Sequence, residues 1–143
     1  VKAAGGKGTF LNHSEHRIPF EILKKTISKC KKLKLKTIVF AKDFNEAKKI
    51  KLLKPYAIAY EDPKLVGSGR SITKYKSNTT EKFSKLFKNS QIIPLCGAGI
   101  SDVEDVLEAK RLGCKGVAIA SAIADVPNKK AEKLLNGLNK TKR

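Results

Sequence analysis

Gly8-Thr9-Phe10-Leu11-Asn12-His13-Ser14-Glu15-His16-Arg17 sets the pattern that the rest of the chain repeats. Gly8 to Leu11 suit a short buried strand, and the chain then turns at once to asparagine, histidine, serine and glutamate. Pro19 follows where a first helical turn tolerates it. A strand that delivers titratable side chains to its C-terminal end, with a helix directly behind, is how α/β proteins present their chemistry.

Working outward, the same unit recurs. Phe20, Leu23, Ile27 and Cys30 stand at helical spacing, and Lys36–Ala41 is an apolar run bounded by charge, hence a strand. Asp43 and Glu46 make a capping pair for a helix through Ile50, and Pro55-Tyr56 ends it. Ala57–Tyr60 is a third strand ending on Glu61, followed by the loop Asp62–Gly69. Asn78 and Glu81 are expected to cap a helix whose inner face is Phe83, Leu86 and Phe87. Gln91–Cys96 is a fourth strand leading into Gly97-Ala98-Gly99-Ile100, and Ser101 with Glu104 reads as a capping box for a helix stopped at Gly113. Gly116–Ala120 is a fifth strand ending on Ser121, and Asn128 is expected to cap a last helix before a basic tail.

Strands apolar throughout, alternating with helices, are the mark of a parallel sheet covered by helices. The 143 residues read as a single domain, 1–143. A doubly wound sheet and a (β/α) barrel both satisfy this pattern, and both place function at the strand C-termini.

Composition narrows the function classes. The formal net charge is +18, yet the lysines coat nearly every expected helix and turn, and the arginines are only Arg17, Arg70, Arg111 and Arg143. Sequence-reading nucleic-acid interfaces use arginine forks and stacking platforms, so no specific nucleic-acid partner is expected, only salt-sensitive adhesion. No apolar run approaches the roughly 18 residues that span a bilayer, so no membrane partner is expected. Cys30, Cys96 and Cys114 form no CxxC pair and have no neighbouring histidines, which fits reduced thiols in a cytoplasmic protein and no metal site. The opening Val1-Lys2-Ala3-Ala4-Gly5-Gly6 resembles the last turn of a helix with a glycine stop, as in a chain entered partway through.

The strand ends gather the candidate chemistry: His13 and Glu15 after the first, Glu61 after the third, Gly97-Ala98-Gly99 after the fourth and Ala120-Ser121 after the fifth. Glycine-rich turns expose backbone N–H groups to anions, so these turns with Gly67-Ser68-Gly69 are candidates for holding a phosphate. A dinucleotide turn is disfavoured, because Asp102 fills the third glycine position and would set a carboxylate against the pyrophosphate.

Three runs together, Gly8–Arg17, Tyr60-Glu61-Asp62-Pro63-Lys64-Leu65-Val66-Gly67-Ser68-Gly69 and Leu95-Cys96-Gly97-Ala98-Gly99-Ile100-Ser101, resemble the triosephosphate isomerase family, and its compact archaeal branch in particular. The resemblance covers essentially all of the chain and implies a partial (β/α)₈ TIM barrel, its five units corresponding to units four to eight of the family. It implies interconversion of dihydroxyacetone phosphate and glyceraldehyde 3-phosphate, in glycolysis and gluconeogenesis, with no cofactor. The family is itself a standard example of a glutamate base paired with a neutral histidine under a closing loop. By resemblance His13 is that electrophile, Glu61 the proton shuttle and Glu15 the second glutamate beside the site. Gly67 would give its N–H to the phosphate from the lid, and Gly97, Gly99, Ala120 and Ser121 fall on the phosphate loops. A homo-oligomer, tetrameric as in archaeal members, is implied as well.

The departures are equally definite. The family's first strand supplies an asparagine and a lysine to the substrate, and this sequence has no counterpart, so the isolated chain is expected to be inactive or nearly so. Asp62 stands where the lid hinge has proline, and His16 where the motif has arginine. The rival reading is a basic phosphate- or nucleic-acid-binding module on a decayed barrel. Aldolase-type phosphate barrels carry a lysine on an inner strand, whereas the candidate inner positions here are Phe10, Val39, Tyr60, Leu95 and Ile119.

Overall fold

The computed structural model describes residues 1–140. The basic tail expected at Thr141-Lys142-Arg143 lies outside the described residues. Five strands, β1 (Gly8–Leu11), β2 (Lys36–Ala41), β3 (Ala57–Tyr60), β4 (Ile93–Gly97) and β5 (Gly116–Ala118), form one sheet in the order β1-β2-β3-β4-β5. Every adjacent pair is parallel. A doubly wound sheet reverses its strand order at a switch point, and this sheet never does. Strictly sequential order is the order of a barrel wall, so the structure is part of a TIM barrel.

The helices are α1 (Phe20–Lys32), α2 (Phe44–Leu52), α3 (Ile72–Tyr75), α4 (Ser77–Lys85), α5 (Val103–Arg111), α6 (Ser121–Ala124) and α7 (Asn128–Lys140). Leu23 and Ile27 of α1, Ala47 and Ile50 of α2, Phe83 of α4 and Ala109 of α5 share one core with Val39, Ala41, Ile58, Tyr60 and Cys96. Phe83 is fully buried, and its ring lies 5.7 Å from Tyr60 and 5.0 Å from Phe87. Burying a side chain of that size contributes about 3 kcal/mol.

Strand side chains alternate between faces, and the register therefore sorts them. With Val39 and Tyr60 in the helix-facing core, they cannot be inner positions as the sequence suggested. The opposite face carries the rows Phe10–Ile38–Ala57–Ile93 and Phe40–Ala59–Leu95–Gly116. None of these is lysine, so the inner face lacks the strand lysine of an aldolase-type site. Phe10, on the edge strand, is 69% exposed on this face.

Four other expectations shift. Ser71 caps α3 by accepting from the Thr73 amide, and α3 runs into α4 through Lys76, so Asn78 is already helical and caps nothing. The capping box of α5 is displaced by one residue: Asp102 is the N-cap and accepts from the Asp105 amide, while Asp105 accepts from the Ser101 amide. Both Ser101 and Asp102 are competent caps, and the fully buried Asp105 decides between them. β4 and β5 are shorter than expected, β4 beginning at Ile93 and β5 ending at Ala118. Asn128 is the first residue of α7 rather than its cap. The Asp43/Glu46 pair behaves as expected, with Asp43 Oδ1 accepting from the Glu46 amide at 2.8 Å.

At the N-terminal ends of the strands a hollow of about 750 Å³ is lined by Lys31, Lys36, Lys51 and Tyr56 among others. The ammonium groups of Lys31 and Lys51 are directed at helix ends: they donate to the carbonyls of Leu53 (2.6 Å) and Leu86 (2.7 Å). Lysine at a helix C-terminus offsets the negative end of its dipole. Cys30, Cys96 and Cys114 are buried free thiols. Among the described residues no helix is long and apolar enough to cross a membrane.

Candidate active site

The opposite rim holds the site. His13 follows β1 and Glu61 follows β3, and their side chains meet: Nε2 of His13 is 3.0 Å from Oε1 of Glu61. Glu61 is only 5% exposed, and its other oxygen accepts the Ser14 amide at 3.2 Å. Its own amide donates to the Ala41 carbonyl, which fixes the exit of β3. The Glu15 amide approaches Nδ1 of His13 at 3.4 Å. An Nδ1 that accepts leaves the ring proton on Nε2, aimed at Glu61. The edge of the imidazole packs against Phe40, with ring centroids 4.8 Å apart. The Glu15 carboxylate stands 3.5 Å from Nδ1 and is 81% exposed.

A buried brace that the sequence reading missed sets the His13 loop. Asn12 is buried in the left-handed region (φ 63°), a conformation that asparagine tolerates better than most residues. Its Nδ2 donates to the Phe40 carbonyl (3.0 Å) and to Glu46 Oε1 (3.3 Å), and its Oδ1 accepts from the Ile18 amide (3.1 Å). Arg17 donates to the Asn12 carbonyl at 2.9 Å and forms an ion pair with Glu46. The left-handed turn at Asn12 is what swings His13 from the end of β1 toward β3. Its signal in the sequence was an asparagine directly before the histidine.

The remaining expected residues come from the glycine turns. Gly67 has φ +68° with open space around its α-carbon. The turn after β4 has two left-handed residues in succession, Ala98 at φ 80° and Gly99 at φ 66°. Gly99 is required there on two counts, since an added Cβ would also lie 2.0 Å from the Arg70 carbonyl oxygen. Gly97 is the last residue of β4 and faces Ala118, where an added Cβ would come within 3.1 Å of the Ala118 Cβ. Ala120 precedes α6, and Ser121 is its first residue.

These elements enclose a cleft of about 630 Å³, of the size that takes small molecules. It brings together His13, Glu15, Glu61, Gly67, Gly99, Ala120 and Ser121; Gly97 is not on its wall. Phe10, Phe40, Ile100 and Ile119 supply apolar surface, and Asp125 adds a carboxylate. The amides of Gly67, Gly99 and Ile100 donate to no acceptor among the described residues. The result is a cleft whose wall carries an imidazole in contact with a buried carboxylate, together with glycine turns whose amides have no acceptor among the described residues. Among the described residues no cluster of three metal-ligating side chains occurs.

Comparison with known proteins gives a consistent result. The family model described as Triosephosphate isomerase matches residues 1–137. The chain is 40% identical over 130 residues to the triosephosphate isomerase of Methanocaldococcus jannaschii, covering 90% of this chain and 59% of the relative. It is 39% identical over 135 residues to that of Saccharolobus solfataricus, covering 92% and 60%. The Methanopyrus kandleri protein of the same name is 39% identical over 142 residues, covering 96% and 63%. The chain thus spans about three fifths of the length of these relatives. Among solved structures, a mandelate oxidase superposes with a TM-score of 0.64 at 15% identity, covering 87% of this chain and 37% of that one. A chain of the Amycolatopsis orientalis BexX/CysO complex gives 0.57 at 16% identity, covering 83% and 49%. These two speak for the fold alone.

Proposed function

This chain belongs to the triosephosphate isomerase family, and from that premise we propose that its cleft binds a triose phosphate and interconverts dihydroxyacetone phosphate and glyceraldehyde 3-phosphate. The observation that carries the reading is the 3.0 Å approach of His13 Nε2 to the buried Glu61 carboxylate, across a cleft walled by the glycine turns.

Moving a proton between adjacent carbons needs one base, one donor to the developing enediolate oxygen and exclusion of water. Glu61 takes the proton from one carbon and returns it to the other. His13 donates its Nε2–H to the carbonyl oxygen as negative charge develops there. A substrate entering between the two groups replaces their mutual contact with one bond to each. Glu15, beside Nδ1, helps set the ring. The amides of Gly67, Gly99 and Ile100 hold the phosphate, with Ala120 and Ser121 on the far wall, while the loop from Asp62 to Gly69 closes over it. No cofactor takes part. Glycolysis and gluconeogenesis in the cytoplasm are the setting, with a homo-oligomer as the working form.

Chemistry of this kind also needs a cation for the phosphate and the enediolate, and the family's first strand supplies it as a lysine. No lysine or arginine lines the cleft among the described residues, so low turnover is expected of this chain by itself. A chimera joining the N-terminal part of the Methanocaldococcus relative to this chain should turn over in a coupled triose phosphate assay. Glu61→Ala in that chimera should lower kcat by about 10³-fold or more, within the range for loss of a general base. A loss below tenfold would remove Glu61 from the role.

A further inference from the structure

Asp105 lies on α5, behind the cleft and off its wall, and is fully buried. The matching position in α2, Glu46, is partly exposed; it accepts from the Lys42 amide and ties α2 to Asn12 and Arg17 of the His13 loop. Asp105 is fully buried and faces groups from two different segments. From the turn after β4, the Ser101 amide donates to Oδ2 at 3.0 Å and the Ser101 hydroxyl approaches the same oxygen at 3.4 Å. From the root of the lid loop, the Thr73 hydroxyl approaches Oδ1 at 3.4 Å and the Lys74 ammonium lies 3.0 Å from it. Ser71 bonds in turn to Thr73 at 2.6 Å.

Two further links join the same segments. The Ile72 amide donates to the Ala98 carbonyl at 3.1 Å, and Gly99 packs so closely on the Arg70 carbonyl that no side chain fits between them. The lid root and the phosphate turn are therefore linked at three places, and among the described residues Asp105 is the one side chain that binds both.

From this geometry we infer that Asp105 is a positioning residue that locks Ser71–Lys74, the root of the lid, to the Gly97–Ser101 turn, so that the two move as one body. The inference rests on the isomerase reading only for what the coupling serves. A phosphate drawn onto the Gly99 and Ile100 amides would carry the lid root with it, and an ordered lid root would hold those amides in place. Lys74 neutralises the carboxylate, so that a negative charge can sit behind an anion site without repelling its occupant.

The test is residue-resolved amide hydrogen exchange on this chain. In Asp105→Asn the Ser101 amide loses its carboxylate acceptor, and coupling requires the Ile72 amide, which never touches Asp105, to exchange at least tenfold faster as well. The amides of Val39 and Ile58 in the sheet should stay within twofold. Thr73→Val combined with Lys74→Gln removes both lid-side partners of Asp105 and leaves its Ser101 contacts in place, and should accelerate Ser101 by the same coupling. Acceleration of Ser101 alone, or equal acceleration of sheet and loop amides, overturns the inference. Inorganic phosphate then separates the two claims. It should protect the Gly99 and Ile100 amides, and should need about tenfold higher concentration to do so in Asp105→Asn. If phosphate protects neither chain while Ile72 and Ser101 remain linked, the isomerase reading fails and the positioning role stands.

Discussion

Replacing Gly99 by alanine puts a worked number on the contact between the phosphate turn and the lid root. The new Cβ would stand 2.0 Å from the Arg70 carbonyl oxygen, 2.4 Å from its carbon and 2.9 Å from the Ser71 nitrogen. Ordinary contact is about 3.5 Å, so the two backbones must part by more than about 1 Å. Both are backbone, with no flexible side-chain end to swing aside. Overpacking of this kind costs about 1–3 kcal/mol, and φ of +66° adds about 1–2 kcal/mol for a residue bearing a Cβ. A total near 3 kcal/mol is a large share of a stability of about 5–15 kcal/mol, and corresponds to a fall in Tm of roughly 10 °C. Gly67→Ala is the internal control: its φ of +68° is nearly the same, but nothing lies within 4 Å of the added Cβ. It should cost only the conformational part, about 1–2 kcal/mol. Thermal melts followed by circular dichroism, with urea midpoints at unchanged slope, measure both. Equal destabilisation by the two substitutions would refute the close-contact argument.

Three further outcomes are expected. Lys34 sits at φ 56° just past the C-terminus of α1, where glycine is favoured, so Lys34→Gly should raise stability by about 0.5–1 kcal/mol in urea titrations. Burial, with the charges of Asp62 and Asp43, pushes the Tyr60 hydroxyl up to about 12, and ultraviolet titration should find one tyrosine ionising two decades later than an exposed phenol. Burial alone would raise the Asp105 carboxyl, but Lys74, the Ser101 amide and the Ser71 hydroxyl prevail and hold it below the ordinary carboxylate range. Asp102 and Glu104 are the other charged groups near this pair. A lowered folded-state value adds stability that is complete above the unfolded value of about 3.9 and disappears as pH falls through the folded one. Acid titration of stability should therefore fall more steeply below about pH 4 in the wild type than in Asp105→Asn.

Much of the site was legible because its signals are local. Lys36–Ala41 and Ala57–Tyr60 are strands at the expected residues, being apolar runs closed by charge or proline. His13 and Glu61 were visible as titratable residues directly after strands. Strands apolar on both faces conceal which side chains point inward, and this put Val39 and Tyr60 on the wrong side. Sheet order is a tertiary property, so only the pairing distinguished a barrel wall from a doubly wound sheet. The Asn12–Arg17–Glu46 brace joins residues up to 34 positions apart, and Asp105 meets Thr73 across 32, so neither leaves a local pattern. Asp102 and Ser101 are near-equal caps, and their competition was settled by a partner that packing alone supplies.

A base that moves a proton between neighbouring carbons of a triose phosphate, as proposed for Glu61, exchanges that proton with solvent. Solvent deuterium entering the substrate carbon tests this role most directly. The chimera completed with the relative's N-terminal part, incubated in deuterium oxide with dihydroxyacetone phosphate, should yield product carrying deuterium at the carbon that receives the proton, read by proton NMR. Glu61→Gln should abolish that incorporation while inorganic phosphate still protects the Gly99 amide. Isomerisation with undiminished deuterium entry in Glu61→Gln would contradict the account.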